Sequence, residues 1–270
     1  MNPFIIDNAV PIRFGFFLIV FIGMAAWERL SPRRPLTASR RTRWFGNLAV
    51  TFLNPVVLRL VFPLTAIEVA ILSREHQWGV LNAIGGPGWL KGAAAVVALD
   101  LAIYLQHVLF HRVHFLWRFH RMHHIDFDID VTTGARFHPI EIVLSMVLKI
   151  ATIVLLGAPP LSVLVFEILL NATSMFNHSN ILLPLRMDGL LRLFLVTPDM
   201  HRVHHSILRQ ETNSNFGFNM PWWDRLFGTY RAQPAAGHES MVIGLGDFRE
   251  GKYLSLPWMI AVPFLRKRKP

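Results

Sequence analysis

Three sets of histidines stand at spacings that suit a metal ion. "HRMHH" (His120–His124) and "HRVHH" (His201–His205) repeat one skeleton, His-x-x-His-His, and His107 and His111 form a further pair four residues apart. On a helix, positions i, i+3 and i+4 share a face, so the members of each set can converge. Imidazole suits iron, zinc and copper, and eight such donors exceed what one tetrahedral zinc can use. Two metal ions are the natural count. Cysteine is absent from the 270 residues, which excludes a thiolate zinc site, a disulfide framework and a cysteine-held iron–sulfur cluster within the chain. Histidine has to carry any metal chemistry, and carboxylates are read as sparse near the boxes, so the ligand set is expected to be mostly neutral nitrogen.

Polar residues near the boxes are candidates for holding the imidazoles in place, since a metal-bound imidazole usually donates its other N–H to a carboxylate or carbonyl. Asp100, Tyr104, His107 and His111 fall on one helical stripe, and Glu167, Asn171, Ser174 and His178 repeat the arrangement. Asp100, Asp199 and Asn171 are the expected partners. His178, in "FNHSN", is a possible ninth ligand. His138, in "RFHPIE", is expected to support a ligand or to be structural, because Pro139 follows it and starts a helix. His76, His114 and His238 have no partner at ligand spacing and are expected to be solvated.

These residues must be held by a membrane-embedded frame. Hydrophobic residues make up 53% of the chain, charged residues 16%, and the mean hydropathy is +0.39. The net charge of +10 sits in short arginine clusters beside apolar stretches, a pattern that favours an anionic membrane face over nucleic acid. About five segments approach the ~20 residues a bilayer requires. They run roughly from Ile12 to Trp27, from Leu48 to Leu72 with Pro55 and Pro63 inside, from "GGPG" to about His111, from Ile140 to Leu156 and from Leu161 to Phe176. The last two, joined by "GAPP", predict a tight helical hairpin. The first span has no basic segment before it and no cleavage site after it, so it is read as retained.

Arginines 29, 33, 34, 40, 41 and 43 lie between the first two spans, and the positive-inside rule puts that loop in the cytoplasm. Counting crossings from there brings every histidine set to the same face. The expected fold is an all-α membrane protein with four to five transmembrane or membrane-embedded helices and a cytoplasmic, histidine-rich helical cap. It is expected to form one domain over 1–270, with N-terminal spans in 1–98, the histidine-box core in 99–230 and a tail in 231–270. Within the tail, "LSLPWMIAVPFL" is too short to cross and is read as interfacial.

At this point the chain resembles the fatty acid hydroxylase and sterol desaturase superfamily of membrane di-iron enzymes. The resemblance runs from about Asp100 to Tyr230 and rests on "DLAIYLQHVLFH", "LWRFHRMHH", "RFHPIE", "FNHSN", "TPDMHRVHHS" and "NSNFGFNMPWWDRLFGTY", in that order. It implies metal ligation by His107, His111, His120, His123, His124, His201, His204 and His205, with His178 a weaker carry-over. Many relatives have Arg directly after the first-box histidine; here Val108 stands there and Arg112 follows the second histidine. The "WDRLFGTY" block is expected to pack the cap.

The resemblance further implies two iron ions, O2 as co-substrate and hydroxylation or desaturation of a fatty acyl, sterol or related lipid. Electrons would come from outside, from a reductase, ferredoxin or cytochrome b5-like carrier, because the chain has no dinucleotide fingerprint and no haem domain. Arg118, Arg121, Arg202 and Arg209 are candidate docking residues for an acidic carrier, or equally for lipid headgroups. The host membrane is expected to be a bacterial inner membrane, with the endoplasmic reticulum as the other option. Two rival readings remain: a zinc-dependent membrane hydrolase with Glu141 or Asp199 as base, and a histidine-lined metal transporter.

Overall fold

A computed structural model describes residues 3–266, and among them every regular element is helical. Strand-type pairing is limited to two isolated bridges, Pro32 with Ile181 and Ser206 with Ile243. Five segments are long and apolar enough to cross a bilayer, which makes this a multi-pass membrane protein.

The first span, α1 (Ala9–Leu30), is apolar on most sides and leaves Ile19 and Ile22 largely exposed, as a helix facing hydrocarbon can. The second span departs from expectation. It begins earlier, as α2 (Arg40–Val61), tolerates Pro55 in its interior, and breaks before α3 (Ala66–Glu75). Pro63 causes the break: it disfavours helical geometry at Phe62, whose backbone is extended (φ −113°, ψ 118°). Thr65 then starts α3 through a capping box, accepting from Glu68 N while Glu68 Oε2 accepts from Thr65 N at 2.6 Å.

The third span, α4 (Gly88–Arg112), carries the first histidine pair, and an extended Val113 separates it from α5 (His114–His124). The last two spans, α6 (Pro139–Leu156) and α7 (Pro160–Asn177), are each opened by a proline at the first position, but they do not pack on one another as the expected tight hairpin: α6 lies against α2, α3 and α4, and α7 against α1, α3 and α4. Gly157 ends α6 at φ +67°, and a Cβ there would run into the carbonyl of Trp78. His138 caps α6, its Nδ1 accepting from Ile140 N at 3.1 Å, so its role is structural. The second His-x-x-His-His lies on α8 (Pro198–His204), capped by Thr197.

Polar contacts join the arginine-rich loop to the histidine end. Arg33 pairs with Asp199 at 3.2 Å, Arg34 donates to Met241 O at 2.7 Å, and Thr37 N donates to Asp128 at 2.9 Å. The parity expected from the sequence therefore holds: loop and boxes share one end. The C-terminal segment folds over α5 with Met259 and Val262 fully buried, and it accepts hydrogen bonds from Arg118 and Arg121. It covers the cap on one side and leaves Trp258 and Phe264 exposed on the other.

Candidate metal centre

All nine candidate histidines gather at the cap end, in two groups. His107, His111, His120, His124 and His204 form one; His123, His178, His201 and His205 form the other. Within a group the donor atoms lie within 4.8 Å of one another, close to the ~4 Å across which two ligands of one ion face each other. Each His-x-x-His-His is split between the groups. Its outer i, i+4 pair goes one way and its middle histidine the other: His120 and His124 join His204, whereas His201 and His205 join His123. The two copies are thus used reciprocally, and the groups touch where His124 stacks on His205 with ring centroids 4.5 Å apart.

Hydrogen bonds fix the tautomers. A carbonyl only accepts, so an Nδ1 bonded to one carries the proton and leaves Nε2 as a lone pair. His123 Nδ1 donates to Arg136 O at 3.1 Å and His178 Nδ1 to Ser174 O at 2.7 Å, yet their Nε2 atoms are 3.0 Å apart. His107 Nδ1 donates to Phe216 O and His120 Nδ1 to Glu141 Oε1, both at 2.7 Å, and their Nε2 atoms are 3.1 Å apart. Two lone pairs facing at that distance repel unless a cation lies between them.

Other donors reinforce the pattern. His204 donates its Nδ1 proton to Ser214 O at 2.7 Å, and its Nε2 has no partner among the described residues; the same holds for His111 Nε2 and both nitrogens of His205. Burial, followed by the charge of neighbouring imidazoles, pushes His123, His124, His201, His204 and His205 well below the usual histidine value. Neutral imidazoles with free lone pairs fit metal ions in both groups.

A family model, fatty acid hydroxylase, matches residues 92–229. The chain belongs to the fatty acid hydroxylase family. It is 29% identical to an ornithine lipid hydroxylase of Rhizobium tropici over 93% of this chain and 76% of that protein. It is 31% identical to the alkylglycerol monooxygenase of Homo sapiens over 56% of this chain but only 32% of that one. A third relative, the cholesterol 25-hydroxylase of Rattus norvegicus, is 27% identical over 54% of this chain and 50% of its own length. No solved structure matches the chain. Membership of this family makes the chain an oxidoreductase of the lipid hydroxylase class.

Within the family frame, the residues that orient the imidazoles differ from those expected. Asp100 accepts from Asn219 Nδ2 and Trp223 Nε1, each at 2.8 Å, and from Met220 N at 3.3 Å. It shares a stripe with His107 but lies about 10 Å away along the helix axis, too far for a hydrogen bond. Asp199 pairs with Arg33 and Arg202, because neighbours two apart on a helix point to different sides and His201 turns away from it. Asn171 is exposed and donates to Glu167 O on its own helix at 2.9 Å. None of the three holds a ligand directly.

Glu141 does, with the carbonyls of Ser174, Arg136, Ser214 and Phe216. Asp224 in the closing block braces one of these carbonyls, accepting from Phe216 N at 2.8 Å and Gly217 N at 2.9 Å, so that block packs the cap as expected. Carboxylates are not sparse here either. Asp126, Asp128 and Asp130 follow His124 directly, but each is committed to Arg43 or to the loop at Thr37.

Two further expectations are corrected. His238 is 5% exposed, lies 3.6 Å from Asp199 and is pushed down to about 4 by burial, whereas His76 and His114 are exposed as expected. Of the four candidate docking arginines, Arg121 and Arg202 are buried and Arg118 is tied to Pro263 O; Arg209 alone is exposed.

A cavity of ≈ 490 Å³ runs from His107, His120 and Glu141 into the spans. Apolar side chains such as Ile103, Phe110, Met146, Leu170 and Phe218 make its walls. Phe14 on α1 and Phe52 on α2 also line it and are 52% and 62% exposed, so it opens sideways between those helices.

Proposed function

We propose that this chain is a membrane-bound, non-haem di-iron oxygenase that uses O2 and electrons from a separate donor to oxidise a C–H bond of a lipid. Hydroxylation is favoured over desaturation, because the relatives are a lipid hydroxylase, a monooxygenase and a sterol hydroxylase. The observation that carries the reading is the pair of facing lone-pair contacts, one in each histidine group, at the head of an apolar cavity. Iron held there supplies the redox chemistry: one oxygen atom of O2 enters the C–H bond, and the other leaves as water with two electrons and two protons.

The chain's own residues do the rest. Carbonyls and Glu141 keep protons on Nδ1 and aim Nε2 inward, so the donors are preorganised. The lipid enters sideways between α1 and α2, and Ile103, Phe110 and Phe218 exclude water and direct its chain toward the histidines. By the positive-inside rule the arginine-rich loop, and with it the metal centre, faces the cytoplasm of a bacterial inner membrane, where a reductase, ferredoxin or cytochrome b5-like carrier can reach it.

A zinc hydrolase fits less well, because nine donors in two groups exceed what one zinc can use, and one candidate base, Asp199, is committed to Arg33 and Arg202. A transporter fits less well still, since the histidines sit at one end instead of lining a path across the bilayer. Metal analysis of the purified protein tests the reading, with two irons per chain expected; one tightly held zinc would reject it. Lipid extracts from cells with and without the gene should differ by species carrying one added oxygen.

A further inference from the structure

The cavity that begins at His107 and His120 also reaches a charged cluster inside the spans. Arg13 Nη1 lies 2.8 Å from Glu167 Oε2, and Lys149 Nζ lies 2.8 Å from Glu167 Oε1, tying α1, α6 and α7 together. All three residues line the cavity, and Glu167 is 1% exposed. Two cations face one carboxylate. Pinning three helices needs no second positive charge, and an unmatched charge within a bilayer is costly unless it serves a purpose.

Donors are also left over at the cluster. The Lys149 ammonium has three N–H groups, of which Glu167 takes one, and Arg13 Nε is buried with no hydrogen-bond partner among the described residues. Between this end and the histidines the walls are mostly apolar, with Ser145 and Ser174 among the few polar residues, and beyond the cluster itself no charged side chain among the described residues lines the cavity besides Glu141. Glu141, at the metal end, precedes Lys149 by eight residues on α6, a rise of about 12 Å.

We propose that Arg13, Lys149 and Glu167 form a subsite for a single negative charge, a carboxylate on the far end of a chain whose other end reaches the histidines. The substrate class is then a single-chain acidic amphiphile whose oxidised carbon lies a cavity's length from its carboxylate. Glu167 positions the two cations and subtracts one charge, so a monoanion neutralises the site. This rests on the lipid-oxidation reading above for what happens at the histidine end, but the charge preference can be measured without turnover.

The experiment is equilibrium binding of dodecanoate, dodecanol and dodecyl phosphate to the purified, metal-loaded full chain in lipid nanodiscs. Wild type should hold dodecanoate at least about tenfold more tightly than dodecanol, the scale of a charge-assisted hydrogen bond in a dry site. Lys149→Met should bring that ratio close to one by weakening dodecanoate far more than dodecanol, and Lys149→Arg should restore it. Equal affinities for acid and alcohol in wild type overturn the proposal without any variant having to fold. So does a ratio that survives Lys149→Met, which would leave the cluster as a helix cross-link. Tighter binding of dodecyl phosphate than of dodecanoate would overturn the carboxylate assignment. Metal content measured separately keeps the two readings apart: a protein that prefers the acid but binds one tightly held zinc in place of two irons rejects the oxygenase reading alone.

Discussion

Two buried polar regions sit side by side in the cap, and they are built on opposite terms. In the first, Arg43, Asp126, Asp130 and Arg136 are all fully buried, and every side-chain nitrogen and oxygen has a partner. Arg43 bonds both aspartates at 2.5–2.9 Å, Asp126 also takes Asn47 and Thr133, and Arg136 donates to Met122 O and Asn47. In the second, five of the nine histidines (His107, His120, His123, His178 and His204) have one nitrogen tied to a carbonyl or Glu141, while the other nitrogens of the set face one another or are left without partners. A saturated cluster stabilises the fold by itself. An under-saturated one costs stability until a ligand arrives, and this is how the two can be told apart without a bound ion.

The comparison breaks if the histidines turn out to hold the fold. His123→Ala and His204→Ala, one from each group, are expected to abolish turnover and lower bound iron. The metal-free protein should lose only about 1–2 kcal/mol from one orphaned carbonyl. Activity assays, iron content and melting of the apo protein read this directly, and full activity in either variant would remove the shared site. Asp126→Asn should do the reverse. It leaves two buried guanidiniums, Arg43 and Arg136, to share the charge of Asp130 alone, at a cost of about 3–5 kcal/mol, and lowers the melting temperature in metal-free and metal-loaded protein alike. Burial alone would raise the Asp126 carboxyl, but the Arg43 and Arg136 guanidiniums win and hold it below the usual carboxylate range. Its folded value is depressed, so its contribution is full above pH ~4 and drains away as pH falls further; the variant should lack that acid dependence.

The sequence made the two regions unequally legible. Histidine spacing disclosed the donors, because few other roles need His-x-x-His-His twice, and hydropathy with arginine placement disclosed the spans and put the donors at one end. The division into five and four did not follow, since i, i+3 and i+4 share a face only loosely and the partner from a distant helix decides which ion each ring serves. Four of the five orienting groups are backbone carbonyls, which leave no trace in side-chain identity. The ion cluster also escaped notice: Arg43 and Asp126 are 83 residues apart, and nothing local marks "IDFDID" as a partner of the first arginine loop.

Glu141 sharpens the comparison because it belongs to both kinds of region, a buried carboxylate whose task is to hold a ligand. Its Oε1 meets His120 Nδ1 at 2.7 Å, while Oε2 has no hydrogen-bond partner among the described residues. Glu141→Gln keeps the shape and can still accept the proton, but it removes the negative charge that makes His120 a better donor. Iron affinity should fall about 10–100-fold, with melting of the metal-free protein unchanged. Competition with a chelator measures it. A drop in apo stability without loss of affinity would place Glu141 with Asp126.

The smallest effect is expected at Asp100, where sequence and structure disagree about the route. Asp100 does not touch an imidazole; it holds Asn219, Met220 and Trp223, at the far side of the loop whose Phe216 carbonyl meets His107. Asp100→Asn exchanges acceptors for donors at one of the two oxygens, so one of these bonds is lost and Asn219 can still be accommodated by an amide flip. The loop remains braced by Asp224 from the other side. Stability should fall by about 1 kcal/mol and iron affinity by less than in Glu141→Gln. Restoring the loop's anchor with a second change at Asn219→Asp should recover part of both losses if the route runs through the loop. If iron affinity instead fell as far as in Glu141→Gln and Asn219→Asp did nothing, Asp100 would have to act on His107 by its charge across the spans, and the stripe read from the sequence would have been the better guide.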